Sequence, residues 1–169
     1  MKTIIFIGMA GVGKSTIGKL ISRYFKFNFI DIDHVIENDY DMTLDNLIKL
    51  KGEAEFIKIE SKYVLDHLKK DTILSPGGSL IYAEETIESI KNNVIFIYLY
   101  DDLNNIIKRI PNLETRGIIG LGNEPLTTLF NKRNKLYKNA AHAQFNINHL
   151  GFNRVVSNIK NYLKTLKEN

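Results

Sequence analysis

A doubly covered α/β fold built on one parallel sheet follows from two features of this 169-residue chain. Five short apolar runs fall at about residues 2–7, 27–32, 71–75, 94–100 and 144–148, and stretches of helical periodicity separate them. Strict alternation of strand and helix predicts five parallel strands joined by crossovers, with helices on both faces and ligands outside the carboxyl ends of the strands. The second feature is Gly8-Met9-Ala10-Gly11-Val12-Gly13-Lys14-Ser15, which fits GxxxxGK[ST] directly behind the apolar run Ile4-Ile5-Phe6-Ile7.

Each element has its own justification. The glycines of the first loop let successive backbone N–H groups turn inward around phosphate oxygens, and the following helix adds its positive end. That helix, about 15–25, carries Ile17, Leu20, Ile21, Tyr24 and Phe25 at amphipathic spacing. Within the motif, Gly11, Val12, Gly13, Lys14, Ser15 and Thr16 are the expected nucleotide-binding residues. Lys14 reaches the β- and γ-phosphates, and the Ser15 hydroxyl ligates Mg²⁺, so ATP and Mg²⁺ are the implied ligands. Further helices are predicted near 33–38, 43–50, 53–69, 83–91, 101–109, 125–139 and 153–167, with Thr43 and Asp101 as N-caps. The segment from Pro111 to Pro125 has no periodicity, and it holds Gly117, Gly120, Gly122 and Arg116. It reads either as a surface loop or, beside a phosphate site, as a mobile lid of about 111–125; the lid is the favoured reading.

Composition bounds the rest. The length suits one domain spanning 1–169. The net charge of +4 gathers in Lys160, Lys164 and Lys167, expected on a solvated helix face, and around Lys132, Arg133, Lys135 and Lys138. No basic surface interleaved with aromatics stands out from sequence, so no nucleic-acid partner is expected. With zero cysteines, disulfides and thiol catalysis are excluded. No apolar run reaches membrane-spanning length, so a cytoplasmic monomer without a membrane partner is the expectation.

Two carboxylates end the second predicted strand, in Phe29-Ile30-Asp31-Ile32-Asp33. Alternation along a strand points Asp31 and Asp33 to one side, near the phosphate loop. One can hold Mg²⁺ through water and the other can orient or deprotonate an acceptor hydroxyl; the competing reading is a pair of turn aspartates. Ser75-Pro76-Gly77-Gly78-Ser79 follows the third strand, and its paired glycines either admit a small ligand close to the backbone or make a plain turn.

Taken together, GMAGVGKST, FIDIDHVIE, GEAEFIKIE, SPGGS, Arg109 and Arg116 around the irregular segment, and NKRNKLY resemble the shikimate kinase family of P-loop kinases, nearly end to end. The resemblance implies a P-loop kinase fold and phosphorylation of a small hydroxylated carboxylate. It implies that Asp31 assists Mg²⁺ and Asp33 contacts the acceptor hydroxyl. It further implies that Gly77 and Gly78 line the substrate pocket, Arg109 lies against adenine, Arg116 closes over the phosphates, and Arg133 pairs with the substrate carboxylate through its planar fork.

Three positions depart from the family pattern. Ile57 stands where the family has the first arginine of E-F-R-[RK]-x-E, with Lys58 one residue and about 100° away around the helix. Ser79 replaces the third glycine of GGG, and Arg116-Gly117-Ile118-Ile119 replaces R-P-L-L. These leave open two alternatives to shikimate phosphorylation: a kinase of another small hydroxylated metabolite, with Ile57 as an apolar wall, and a nucleotide-binding protein without phosphotransfer. Retention of Lys14, Ser15, Asp31, Asp33 and Arg116 argues against the last.

Overall fold

A computed structural model describes residues 1–110, 117–122 and 124–168. Strand β1 (Thr3–Ile7) is buried at every position. It runs parallel between β3 (Thr72–Ser75) and β4 (Val94–Tyr100), with β2 (Asn28–Asp31) outside β3 and β5 (Ala143–Asn146) outside β4, giving the order β2-β3-β1-β4-β5. Register is set by Ile4 opposite Ile73 on one side and by Thr3 to Ile7 opposite Val94 to Tyr98 on the other. The central strands read as continuous apolar runs because helices cover the sheet on both sides, leaving no solvent face that would demand alternation.

Helix α1 (Lys14–Phe25) starts at the last motif residues and buries Ile17 and Ile21. The C-terminal helix, α9 (Phe152–Glu168), buries Val155, Val156, Ile159 and Leu163 at three- and four-residue spacing and packs on α1. Its lysines form the solvated face expected from sequence, with Lys164 and Lys167 exposed and Lys160 half-buried, and they also touch aromatic rings. Lys160 and Lys164 lie over the Tyr24 ring, at 4.2 and 5.4 Å, and Lys167 lies over Phe25 and Phe27, so this basic-aromatic face joins the two helices through cation–π contacts. Among the described residues no helix is long and apolar enough to cross a membrane.

The remaining helices are α2 (Ile32–Tyr40), α3 (Leu44–Lys51), α4 (Glu53–Asp66), α5 (Glu84–Ile90), α6 (Leu103–Arg109), α7 (Leu126–Ala140) and α8 (Ile147–Leu150). Thr43 caps α3 as predicted, its Oγ1 accepting from the Asn46 N–H at 3.3 Å. Asp101 does not cap α6: the N-cap is Asp102, while Asp101 Oδ1 accepts from Asp102 N and Asn105 Nδ2. Two elements escaped the sequence reading, the 3-10 turn at Gly78–Tyr82 and the single-turn α8, both too short to show a period.

The bend out of β1 depends on Gly8. Its φ of +143° lies where side chains rarely go, and a Cβ there would stand 2.3 Å from the Leu99 carbonyl oxygen of β4. We expect Gly8→Ala to destabilise the fold by about 2–3 kcal/mol in urea unfolding, because main chain rather than a pliable side chain must move; a loss within about 0.5 kcal/mol would contradict this packing.

Candidate active site

The phosphate loop has the form its sequence requires. Gly11 and Gly13 both take positive φ, at +77° and +103°, so the loop's N–H groups curl over the start of α1. Lys14, largely buried, folds back over this loop, its Nζ donating to the carbonyls of Gly8 at 2.9 Å and Met9 at 3.1 Å. Ser15 Oγ donates to Asp31 Oδ2 at 2.6 Å and lies 3.1 Å from Ser75 Oγ, bringing together the ends of β2, β3 and the loop after β1. A serine hydroxyl beside a carboxylate offers hard oxygen donors of the kind Mg²⁺ accepts.

Asp33 reaches the same place by a route different from the one expected. Strand β2 ends at Asp31, and Asp33 stands in the first turn of α2 rather than on a continued strand. A tight strand-to-helix junction therefore aligns the two aspartates, not two-residue alternation.

The loop after β3 is held from below. Tyr137 of α7 donates its hydroxyl to the Gly78 carbonyl at 2.7 Å, and burial pushes that phenol well above its ordinary value. Tyr137 Oη and Arg133 Nη1 come so near that a Cβ on Gly78 would lie 2.9 and 3.0 Å from them, which is why a glycine is needed there. Arg133 itself is only 1% exposed. Its Nη2 donates to the Ile119 carbonyl at 2.7 Å, its Nε donates to the Tyr82 hydroxyl at 3.2 Å, and its guanidinium carbon sits 5.1 Å from the Tyr82 ring centre. Among the described residues no carboxylate forms an ion pair with Arg133. A cation so deeply buried with neutral partners favours an anionic ligand.

Two cavities meet at this edge of the sheet. One, about 350 Å³, is lined by Asp31, Asp33, Phe56, Gly78, Ile119 and Arg133 among others. The other, about 660 Å³, runs along the phosphate loop to Asn105, Arg109, Asn148 and Phe152. Ala10, Ser15, Asp33, Gly77 and Gly78 border both, so these residues stand where a group could pass from one cavity to the other. Arg109 is held in the larger cavity by an ion pair, 2.6 Å, to the fully buried Asp101 side chain. Arg116 lies outside the described residues, as does most of the first half of the segment read as a lid. From its second half, Gly120 N donates to Glu53 Oε1 at 2.7 Å, and Ile118 and Ile119 wall the smaller cavity.

The departures from the family pattern resolve differently from the expectation. Ile57 is not a wall of the smaller cavity; its neighbour Phe56 is, while Ile57 borders a separate groove with Lys58, Ser61 and Tyr82. Lys58 does not substitute for the missing arginine, because it is exposed and paired with Glu55 at 3.2 Å. Ser79 does face the site, donating its hydroxyl to Glu60 Oε2 at 2.6 Å.

Glu60 is the main residue that the sequence reading left without a role. Its side chain is fully buried, and burial, reinforced by the charge of Asp33, pushes its carboxyl from 4.5 up to about 7. A detectable sign was present: Phe56, Glu60 and Val64 recur every four residues, which sets a glutamate on the apolar stripe of α4. Tyr137 carried no comparable sign, since its partner Gly78 comes from a distant segment.

A parallel sheet with a glycine-rich loop wrapping the start of α1, and carboxylates from the end of β2 and the start of α2, defines a P-loop kinase. The family model of shikimate kinase matches residues 10–164. A shikimate kinase of Caldicellulosiruptor bescii is 32% identical over 143 residues, covering 82% of this chain and 83% of that protein. One of Clostridium botulinum is 35% identical over 162 residues, covering 95% and 96%. The solved shikimate kinase of Acinetobacter baumannii, in complex with shikimate, shares the fold at a TM-score of 0.82 with 24% identity, covering 100% of this chain and 94% of that one. The chain belongs to the shikimate kinase family.

The raised Glu60 carboxyl has a consequence for stability. The folded chain keeps this proton up to about pH 7 while the unfolded chain releases it near 4.5, so the contribution is present at low pH and is lost as pH rises between those values. Denaturant titrations at pH 5 and pH 8 should show Glu60→Gln gaining on wild type over that interval, by at most about 3 kcal/mol. An unchanged difference between the two pH values would mean that Glu60 is charged in the fold.

Proposed function

We propose that this protein transfers the γ-phosphoryl group of ATP to a hydroxyl of a small carboxylate metabolite, and that the metabolite is shikimate, giving shikimate 3-phosphate on the route to the aromatic amino acids. The observation that carries the proposal is the smaller cavity, where a buried guanidinium without a described counter-ion, Arg133, and a carboxylate at the phosphate loop, Asp33, border one space. A hydroxylated carboxylate matches both ends. Its carboxylate is received by Arg133, and its hydroxyl faces Asp33.

Asp33 orients that hydroxyl and draws off its proton as the oxygen bonds to the γ-phosphorus and the bond to the β–γ bridging oxygen breaks, releasing ADP. Lys14 and the loop N–H groups hold the phosphates and oppose the charge that develops on the transferring group. Ser15 and Asp31 are the proposed holders of Mg²⁺, which when bound neutralises β- and γ-phosphate charge. Arg109, held by Asp101, is assigned to adenine. Arg116 is assigned to the phosphates, as the arginine of a lid at about 111–125. Gly77 and Gly78 leave the backbone open to the acceptor. The reading further has a single domain acting as a monomer in the cytoplasm, without nucleic-acid or membrane partners.

The test is coupled ADP release over shikimate, quinate and gluconate, with variants. Shikimate should be the preferred acceptor. Lys14→Ala should cut kcat by a hundredfold or more at saturating ATP, and Asp33→Asn by a similar factor with ATP binding preserved. Arg133→Ala should raise the KM for shikimate tenfold to a hundredfold, the loss of a charged hydrogen-bonding partner worth about 1.5–3 kcal/mol. No turnover of shikimate by the folded wild-type protein would refute the assignment.

A further inference from the structure

The proposed mechanism uses Asp33 but leaves the second buried carboxyl beside it, Glu60, without a task. Glu60 Oε2 is accounted for by the Ser79 hydroxyl at 2.6 Å, whereas Oε1 has no hydrogen-bond partner among the described residues and is shut off from solvent. Both carboxylates converge on Gly77. A Cβ at that residue would stand 2.7 Å from Glu60 Oε1 and 2.9 Å from Asp33 Oδ1, so the missing side chain leaves the two oxygens facing a common space. Two like charges there, screened by little water, would repel strongly. A proton on one of them removes that repulsion.

We infer that Glu60 is a positioning residue for Asp33: its carboxyl keeps a proton on Oε1, offers it across Gly77 to the Asp33 carboxylate, and is locked in that orientation by the Ser79 hydroxyl on Oε2. The inference rests on the reading of Asp33 as the group that serves the acceptor hydroxyl. It gives Ser79 a role as well, since a glycine there would leave Oε2 without its donor and the carboxyl free to turn.

The charged and titratable groups that bear on Glu60 come from each side of the site. Asp33 on α2 favours the protonated form, as does burial; Lys14 on α1 and Arg133 on α7 oppose it, and so does the Ser79 hydrogen bond from the 3-10 turn. The Tyr137 phenol of α7 also senses Glu60, and it stays protonated. The balance sets release of the Glu60 proton at about pH 7. Below that, the Asp33 carboxylate is held in place by the Glu60 proton. Above it, the donor is lost and a second negative charge stands across Gly77 from Asp33, so turnover falls.

Steady-state kinetics of the full chain with ATP and shikimate, from pH 5.5 to pH 9, test this with four variants. Glutamine can present an N–H where protonated Glu60 presents its O–H while still accepting from Ser79. Glu60→Gln should therefore retain at least tenfold more of kcat than Glu60→Ala and lose the fall in kcat/KM near pH 7. Ser79→Ala removes an interaction that favours the charged form, so it should move that fall to higher pH without abolishing it. The inference is overturned if Glu60→Gln keeps the wild-type pH profile, or if it is as slow as Glu60→Ala at every pH. Asp33→Asn separates the two levels. Wild-type turnover in that variant removes the reading of Asp33 itself, whereas a slow Asp33→Asn beside a Glu60→Gln with an unaltered profile removes only the role given to Glu60.

Discussion

Every part of the site hangs from the hydrogen-bonded seating of β1 between β3 and β4. Because all five strands are parallel, their carboxyl ends share one edge, and the chain leaving β1, β2 and β3 must turn there. The start of α1 supplies Lys14 and Ser15, the end of β2 and the first turn of α2 supply Asp31 and Asp33, and the end of β3 with the turn after it supplies Ser75, Gly77 and Gly78. Gly8, pressed against the Leu99 carbonyl, is the point at which this seating becomes the phosphate loop. Helix α7 then closes the arrangement from another direction, with Arg133 and Tyr137 on adjacent turns gripping the Ile119 and Gly78 carbonyls.

The site is unusual in how much charge it keeps from water. Lys14, Glu60, Asp101 and Arg133 are all nearly or fully buried, and each is costly unless something compensates it. Asp101 is compensated inside the fold by Arg109, the Asp102 N–H and the Asn105 side-chain amide. Lys14 is turned toward loop carbonyls. Arg133 and Glu60 are met mainly by neutral groups, one by carbonyl and phenol oxygens and the other by a serine hydroxyl. Neither has an ion-pair partner among the described residues, which is why both the carboxylate assignment and the proton assignment centre on them.

Much of this was legible in the chain. Strand and helix order followed from periodicity, and the phosphate loop from a spacing that only a phosphate-gripping turn needs. Asp31, Asp33, Gly77, Gly78 and Arg133 all border the cavity that the family resemblance implied. What sequence could not give was direction. Arg133 read alone is a helix-surface residue, and only the packing of α7 buries it. Ile57 and Lys58 were weighed as pocket residues, yet the helix turns them to a separate groove and presents Phe56 to the cavity instead. The solvated lysine face of α9 was legible, whereas the rings of Tyr24, Phe25 and Phe27 beneath it were not, because they come from the other end of the chain.

The central claim is that the buried Arg133 guanidinium receives the acceptor's carboxylate within the cavity that Asp33 borders. Calorimetric binding of shikimate and of its neutral carboxamide, each to wild type and to Arg133→Ala, tests it as a closed cycle. Wild type should prefer the acid by tenfold or more, and the preference should vanish in Arg133→Ala. A preference for the acid that persists undiminished without Arg133 would contradict the account.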